Sequence, residues 1–126
     1  MINLQTKESE LQVIDLGQKP YKQVWNLQKK LQTKLIDGVK RDCLLLVEHE
    51  PVYTLGKNAD PNHLLQSRDK SINVYNIERG GDITFHGPGQ LVVYPILNLT
   101  HYKKSISWYM RSLEQLIINV LEKFEL

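Results

Sequence analysis

The chain has little with which to build a covalent or metal-stapled scaffold. Its 126 residues include one cysteine, Cys43, which excludes an intramolecular disulfide and any site made from several thiolates. Long hydrophobic runs are also missing. The longest, Cys43 to Val47 and Leu91 to Val93, fall far short of the ~18 residues a membrane span needs, so no membrane helix is expected. The opening Met1-Ile2-Asn3-Leu4-Gln5-Thr6-Lys7-Glu8 has neither the basic nor the apolar region of a secretory leader and is too acidic for a transit peptide. A cytoplasmic protein is expected. An excess of charge of one sign is absent too. Sixteen basic against fourteen acidic residues leave +2, too little for charge alone to indicate nucleic-acid binding.

What is present suits one soluble domain: 41% apolar residues, no repeat, no low-complexity tract and no linker. Leu11 to Leu16 is compatible with a strand, broken by Gly17. Pro20 opens a helix in which Tyr21, Val24, Trp25, Gln28, Leu31 and Leu35 recur at helical steps until Gly38. Cys43 to Val47 reads as a strand buried on both faces, and Val52 to Gly56 as a shorter one. Lys57 to Ser71 is a loop with room for one helical turn, Ile72 to Ile77 a strand with one wet face, and Leu91 to Leu97 a strand whose Pro95 marks an edge, bulge or end.

Ser105 or Ser107 caps a final helix with Ile106, Tyr109, Met110, Leu113, Leu116, Ile117, Val120, Leu121 and Phe124 along one face. No stop signal follows, so the chain reads as cut short within an apolar stripe. Together these elements predict an α+β domain, a mixed or antiparallel sheet with flanking helices. Lys19, Lys22, Lys29, Lys30, Lys34, Lys40 and Arg41 crowd the first third; a solvated helix face is the plainer reading, a surface for an acidic partner the sharper one.

The chemistry concentrates in Arg79-Gly80-Gly81-Asp82-Ile83-Thr84-Phe85-His86-Gly87-Pro88-Gly89-Gln90, where two glycine pairs bracket a strand-like segment. Glycine supplies positive φ or close backbone approach, so a strand, turn, strand path around a concave backbone surface is expected, its amides free to meet a thioester or carboxyl oxygen. A ligand-free hairpin is the alternative. Thr84 and His86 bring polar side chains. His86 orients a substrate group or bonds a neighbouring carbonyl, with pocket lining favoured over general-base work. Arg79 either contacts an anion or braces the loop through Asp82 or Glu78. His49 faces the same cleft or sits on a wet turn, and Tyr21 is a pocket candidate or a rim tyrosine.

This block, with Leu91 to Ile96 as its exit, resembles the signature of the octanoyltransferases of lipoate biosynthesis, and His49 to Gly56 resembles their preceding strand and turn, with Glu50 where proline is usual. The resemblance runs from about Leu11 onward and implies the N-terminal part of a single catalytic domain, residues 1–126, similar in fold to the biotin and lipoate protein ligases. It implies transfer of an octanoyl group from octanoyl-acyl carrier protein to a lysine of lipoyl domains, those of 2-oxo acid dehydrogenases and the glycine cleavage H protein, through a cysteine thioester. No cofactor and no metal are implied. Arg79, Gly80, Gly81, Asp82, Ile83, Thr84, Phe85 and His86 are carried over as substrate-binding, with His49 and Tyr21 as further pocket-lining candidates.

The family's reactive cysteine and lysine fall beyond Leu126. Cys43, at the head of an apolar run, reads as an inert core thiol, so no catalytic residue is assigned and these residues alone are expected to be inactive. Two alternatives stand beside this. One is an ATP-dependent lipoate or biotin protein ligase, disfavoured because Glu78-Arg79-Gly80-Gly81 lacks the usual second arginine and third glycine; the other is a non-catalytic acyl-binding module.

Overall fold

The computed structural model of the chain describes residues 11–38 and 40–126, so the reading of Met1 to Glu8 lies outside the described residues. Strand β1 (Gln12–Lys19), helix α1 (Tyr21–Ile36) and strand β2 (Cys43–His49) come first, β1 and β2 pairing in parallel. They are followed by β3 (Val52–Leu55), β4 (Asn73–Asn76), β5 (Ile83–His86), β6 (Val92–Ile96) and helix α2 (Ile106–Lys123). Short 3-10 turns occupy Pro61–His63 and Leu99–His101. None of the described helices is long and apolar enough to cross a membrane.

The strands form two three-stranded mixed sheets, ordered β1-β2-β6 and β4-β3-β5. In each, the central strand has one parallel and one antiparallel neighbour. The mixed α+β architecture is as expected, but the sheet is divided. Both divisions fall at proline: Pro51 separates β2 from β3, and Pro88 separates β5 from β6. A residue without an N–H cannot donate to a ladder, and at each of these two points the chain leaves one sheet and enters the other. The path through His86 and Gln90 is therefore strand, turn, strand, yet its two strands are not a hairpin; β5 pairs with β3 and β6 with β2.

Helix α1 lays Val24 and Leu35 on Cys43, Leu45 and Val47 of β2 and Ile96 of β6, and these residues form the core. Each fully buried aliphatic side chain of this kind contributes roughly 1.5–3 kcal/mol. Along β2, Cys43, Leu45, Val47 and His49 are buried while Leu44, Leu46 and Glu48 are half-buried, so the strand expected to be buried on both faces is closed on one. Pro95 sits in β6, an edge strand, where a missing donor is tolerated.

Gly17 does not end β1. It adopts φ of 66°, donates its amide to Asp15 Oδ1 at 2.9 Å and shifts the register by a bulge, so the strand continues to Lys19. Gly38, at φ of 74°, donates to Leu35 O at 3.1 Å and closes α1. Of the two candidate caps for α2, Ser105 is used, its Oγ accepting from Trp108 N at 3.2 Å. The stripe on α2, expected to lie on the sheet, does not: no α2 residue is buried, and Ile106, Ile117 and Phe124 are exposed. Only α1 is laid on a sheet.

Candidate functional site

Prolonging β1 to Lys19 places that residue's carbonyl beside His49, at the end of β2. His49 Nδ1 lies 2.9 Å from Lys19 O, and Nε2 lies 2.8 Å from Tyr94 Oη. A carbonyl can only accept, so Nδ1 carries the proton and Nε2 accepts from the tyrosine hydroxyl. The ring is 1% exposed, which excludes the wet-turn reading. Burial holds its pKa below the usual imidazole range; the bond to Lys19 pulls the other way, and nearby His86 adds to the lowering.

Tyr21, the first residue of α1, joins the two sheets at this point. Its ring meets His49 edge-on at 5.2 Å, stacks on Tyr75 of β4 at 5.6 Å and lies nearly parallel to His86 of β5 at 6.3 Å. Tyr21 is itself buried, so it belongs to a joint, with contacts to both candidate histidines. Burial raises its hydroxyl pKa, while the Arg79 guanidinium draws it down and Glu78 raises it. Tyr94 is also raised, first by burial and then by Tyr21, with Arg79 opposing.

Arg79 braces the site, through partners other than those expected. Its Nη2 donates to Thr54 O at 3.1 Å, Thr54 Oγ1 at 2.9 Å and Thr84 Oγ1 at 3.0 Å, while Nη1 donates to Gly80 O at 2.8 Å. Thr54 and Thr84 are cross-strand neighbours, so one guanidinium spans β3 and β5. The two carboxylates proposed to pair with it are engaged elsewhere. Glu78 meets Lys29 at 3.3 Å, and Asp82 Oδ2 meets His63 Nδ1. Asp82 Oδ1 accepts from Asp60 N at 3.0 Å and Ile83 N at 2.9 Å, tying the loop before β4 to the start of β5. Desolvation pushes the Asp82 carboxyl up, but the bonds from His63, Asp60 and Ile83 outweigh it and leave its pKa lowered.

The glycine turn is interlocked with the segment after β3. Gly56 N donates to Asp82 O at 3.1 Å, Lys57 N to Arg79 O at 2.9 Å and Asn58 N to Gly81 O at 3.3 Å. The carbonyls of the turn thus face Gly56 to Asn58, whereas Gly80 and Gly81 donate no backbone hydrogen bond to the described residues. Gly81 has φ of 91° and Gly89 φ of 87°, values only glycine adopts easily.

Along β5 the eight-residue run divides by strand alternation. Thr84 and His86 share the face with Arg79 and Tyr21, and Phe85 lies on the other, against Tyr53 at 5.2 Å. His86 Nδ1 bonds Gln90 Oε1 at 2.7 Å, a side chain where a backbone carbonyl was the alternative. Thr54, Gly56, Tyr75 and Tyr94 complete the site and were not singled out from sequence. The signal available was the alternation of Val52 and Thr54, both buried, which puts a polar side chain on an inward position. Cys43 is 3% exposed on β2, its pKa raised by burial first and by Asp42 second.

Because neutral His49 is the form the fold accommodates, the unfolded chain binds the extra proton more readily. Its stabilising contribution is complete above the unfolded value of about 6.5 and is lost as pH falls through the lowered folded pKa. Unfolding free energies from urea titrations between pH 7.5 and 5 are expected to fall more steeply for the unaltered chain than for His49→Gln, by at most about 1.4 kcal/mol per pH unit. Parallel pH profiles would refute this.

Comparison with known proteins identifies the family of the chain. The lipoyl protein ligase A/B catalytic domain family matches residues 20–126. The chain is 49% identical over 113 residues to an octanoyltransferase of Gloeobacter violaceus, covering 89% of this chain and 50% of the relative. It is 41% identical over 116 residues to an octanoyltransferase of Synechocystis sp., covering 90% and 51%. To a chloroplastic octanoyltransferase of Arabidopsis thaliana it is 43% identical over 108 residues, covering 81% and 39%. It spans about half the length of the curated bacterial relatives it matches. With its mixed sheets, its helix-covered core and a match over most of its length, the chain belongs to the lipoyl protein ligase A/B catalytic domain family.

Proposed function

We propose that the chain is the acyl-binding half of an octanoyltransferase. The whole protein takes the octanoyl group from octanoyl-acyl carrier protein onto a cysteine thioester and delivers it to a lysine of lipoyl domains, in the cytoplasm and without ATP. The observation that carries this reading is the glycine turn at Gly80 and Gly81. Its carbonyls are drawn back against Gly56 to Asn58, and its amides have no acceptor among the described residues. Amides held in this way suit an oxygen that gains negative charge as a thioester is attacked, an interaction worth ~3 kcal/mol per donor in acyl transfer. Arg79, Asp82, Thr84 and His86 serve by fixing that turn between β3, β5 and Tyr21, and Ile83 and Phe85 by anchoring β5 from its other face.

The attacking sulfur is not Cys43. A thiol buried in β2 with a raised pKa supplies little thiolate, and thiolate is the nucleophile. Residues 1–126 are therefore expected to bind acyl donor without turning it over. The test incubates labelled octanoyl-carrier protein and a lipoyl domain with this chain and, separately, with a protein of the full family length carrying it. Label on a lipoyl lysine is expected only with the longer protein, through a hydroxylamine-sensitive intermediate. Transfer by residues 1–126 alone would overturn the division of labour, and transfer requiring free octanoate and ATP would make the protein a ligase.

A further inference from the structure

Of the two histidines at the aromatic joint, His49 commits both ring nitrogens to the fold, one to Lys19 O and one to Tyr94 Oη. His86 commits one. Its Nδ1 lies 2.7 Å from Gln90 Oε1, and Nε2 has no hydrogen-bond partner among the described residues. Gln90 reaches back to the ring because of the turn between them. Pro88 and Gly89 are its central residues, Gly89 takes φ of 87°, and Gln90 N donates to Gly87 O at 3.2 Å, as in a type II turn.

The orientation of the Gln90 amide is set by the strand it folds back on. Gln90 Nε2 donates to Phe85 O at 3.4 Å, and a carbonyl oxygen can only accept, so Oε1 is the edge left for His86. An amide oxygen also only accepts. Nδ1 of His86 therefore carries the hydrogen, and in the neutral ring Nε2 is a bare lone pair. Tyr21, nearly parallel to the imidazole at 6.3 Å, holds the plane in which that lone pair points.

We propose that Gln90 is a positioning residue: it holds His86 in the Nδ1–H tautomer, so that Nε2 accepts a hydrogen from the amine of the lysine that receives the acyl group. Whatever meets a bare ring nitrogen must bring a hydrogen. The reacting carbon, oxygen and sulfur of a thioester carry none, whereas a primary amine does. A lysine ammonium that gives one proton to Nε2 becomes a neutral amine with the electron pair needed for attack, and His86 becomes an imidazolium whose Nδ1 hydrogen still lies on Gln90 Oε1. The identity of the donor rests on the acyl-transfer reading of the site; the tautomer does not.

Long-range proton–nitrogen spectra of this chain at about pH 9, where imidazoles are neutral, report which nitrogen of His86 is protonated, and His86→Gln identifies the signal by its loss. Nδ1–H is expected for the unaltered chain and for Gln90→Glu, which keeps an oxygen facing the ring. Gln90→Lys, which can only donate, should turn the ring to Nε2–H. Gln90 is exposed, so both variants should fold, and circular dichroism checks that they do. In a protein of the full family length, Gln90→Lys should slow delivery to the lipoyl-domain lysine about tenfold or more, with loading of the enzyme from labelled octanoyl-carrier protein slowed less; Gln90→Glu should restore delivery at the same pH. An Nε2–H tautomer in the unaltered chain, or an unchanged tautomer in folded Gln90→Lys, overturns the role of Gln90. Equal slowing of both half-reactions, or slowing of loading alone, overturns the amine as the group that Nε2 meets. If the unaltered longer protein takes nothing from the carrier protein, the octanoyltransferase reading has failed, and the spectra still decide the role of Gln90.

Discussion

Gly56→Ala is expected to cost about 3 kcal/mol of stability, among the largest effects of any single methyl group in the chain. A Cβ built at Gly56 collides with the carbonyl oxygen of Gly81 and lies 2.8 Å from both Gly80 O and Arg79 Nη1. Two of these three are backbone atoms. They cannot retreat without breaking the bonds from Gly56 N to Asp82 O and from Asn58 N to Gly81 O. Urea unfolding followed by tryptophan fluorescence provides the measurement, since the Trp25 ring packs on Tyr21 and Tyr75 at the joint. Gly80→Ala is the internal control. A Cβ there meets nothing within 4 Å, so its change should stay within about 0.5 kcal/mol. If the two alanine variants unfold at the same urea concentration, the interlocking of the turns has no energetic weight.

Arg79→Ala should cost a comparable about 2–4 kcal/mol, by a different route. The guanidinium supplies donors to Thr54 Oγ1, Thr84 Oγ1, Thr54 O and Gly80 O, and Thr54 is fully buried. Removing it leaves polar atoms without either a partner or ready access to water. Arg79→Lys should recover only part of the loss, because a point ammonium on a flexible stem cannot reach all of the oxygens that a planar fork bridges. Full recovery by lysine would mean that charge, and not the fork, is what the site requires. The same variants separate bracing from substrate contact: the bracing role predicts that the stability loss is present with no acyl donor added.

Most of the secondary structure was legible because periodicity and punctuation agreed. The helical spacing of Tyr21, Val24, Leu31 and Leu35, ending at Gly38, matches α1, and the run from Cys43 matches β2. Gly17 was misread because a glycine inside a strand pattern signals either a stop or a bulge, and only the Asp15 side chain accepting from its amide decides between them. The division into two sheets was written in Pro51 and Pro88, but pairing partners are set by contacts far apart in sequence. A local reading of β5 and β6 gives a strand, turn, strand path and leaves their pairing open.

In the site, the crowding around Gly80 and His86 was plain from composition, whereas its geometry was not. For Arg79 the sequence left open an anion contact or bracing through Asp82 or Glu78; the guanidinium does brace, but Lys29 and His63 claim those carboxylates and leave it the threonines of β3 and β5. The burial of His49 likewise depends on Tyr21 and Tyr94, residues that lie in separate elements and meet only after folding.

Since no backbone ladder among the described residues crosses from one sheet to the other, the alignment of the two halves is governed by ring faces, the Lys29–Glu78 pair and two short proline-bearing connectors. Stacked rings tolerate sliding that a ladder forbids. Slow amide exchange should accordingly distinguish two protected cores that open separately, with Tyr21 as the pin about which one tilts against the other.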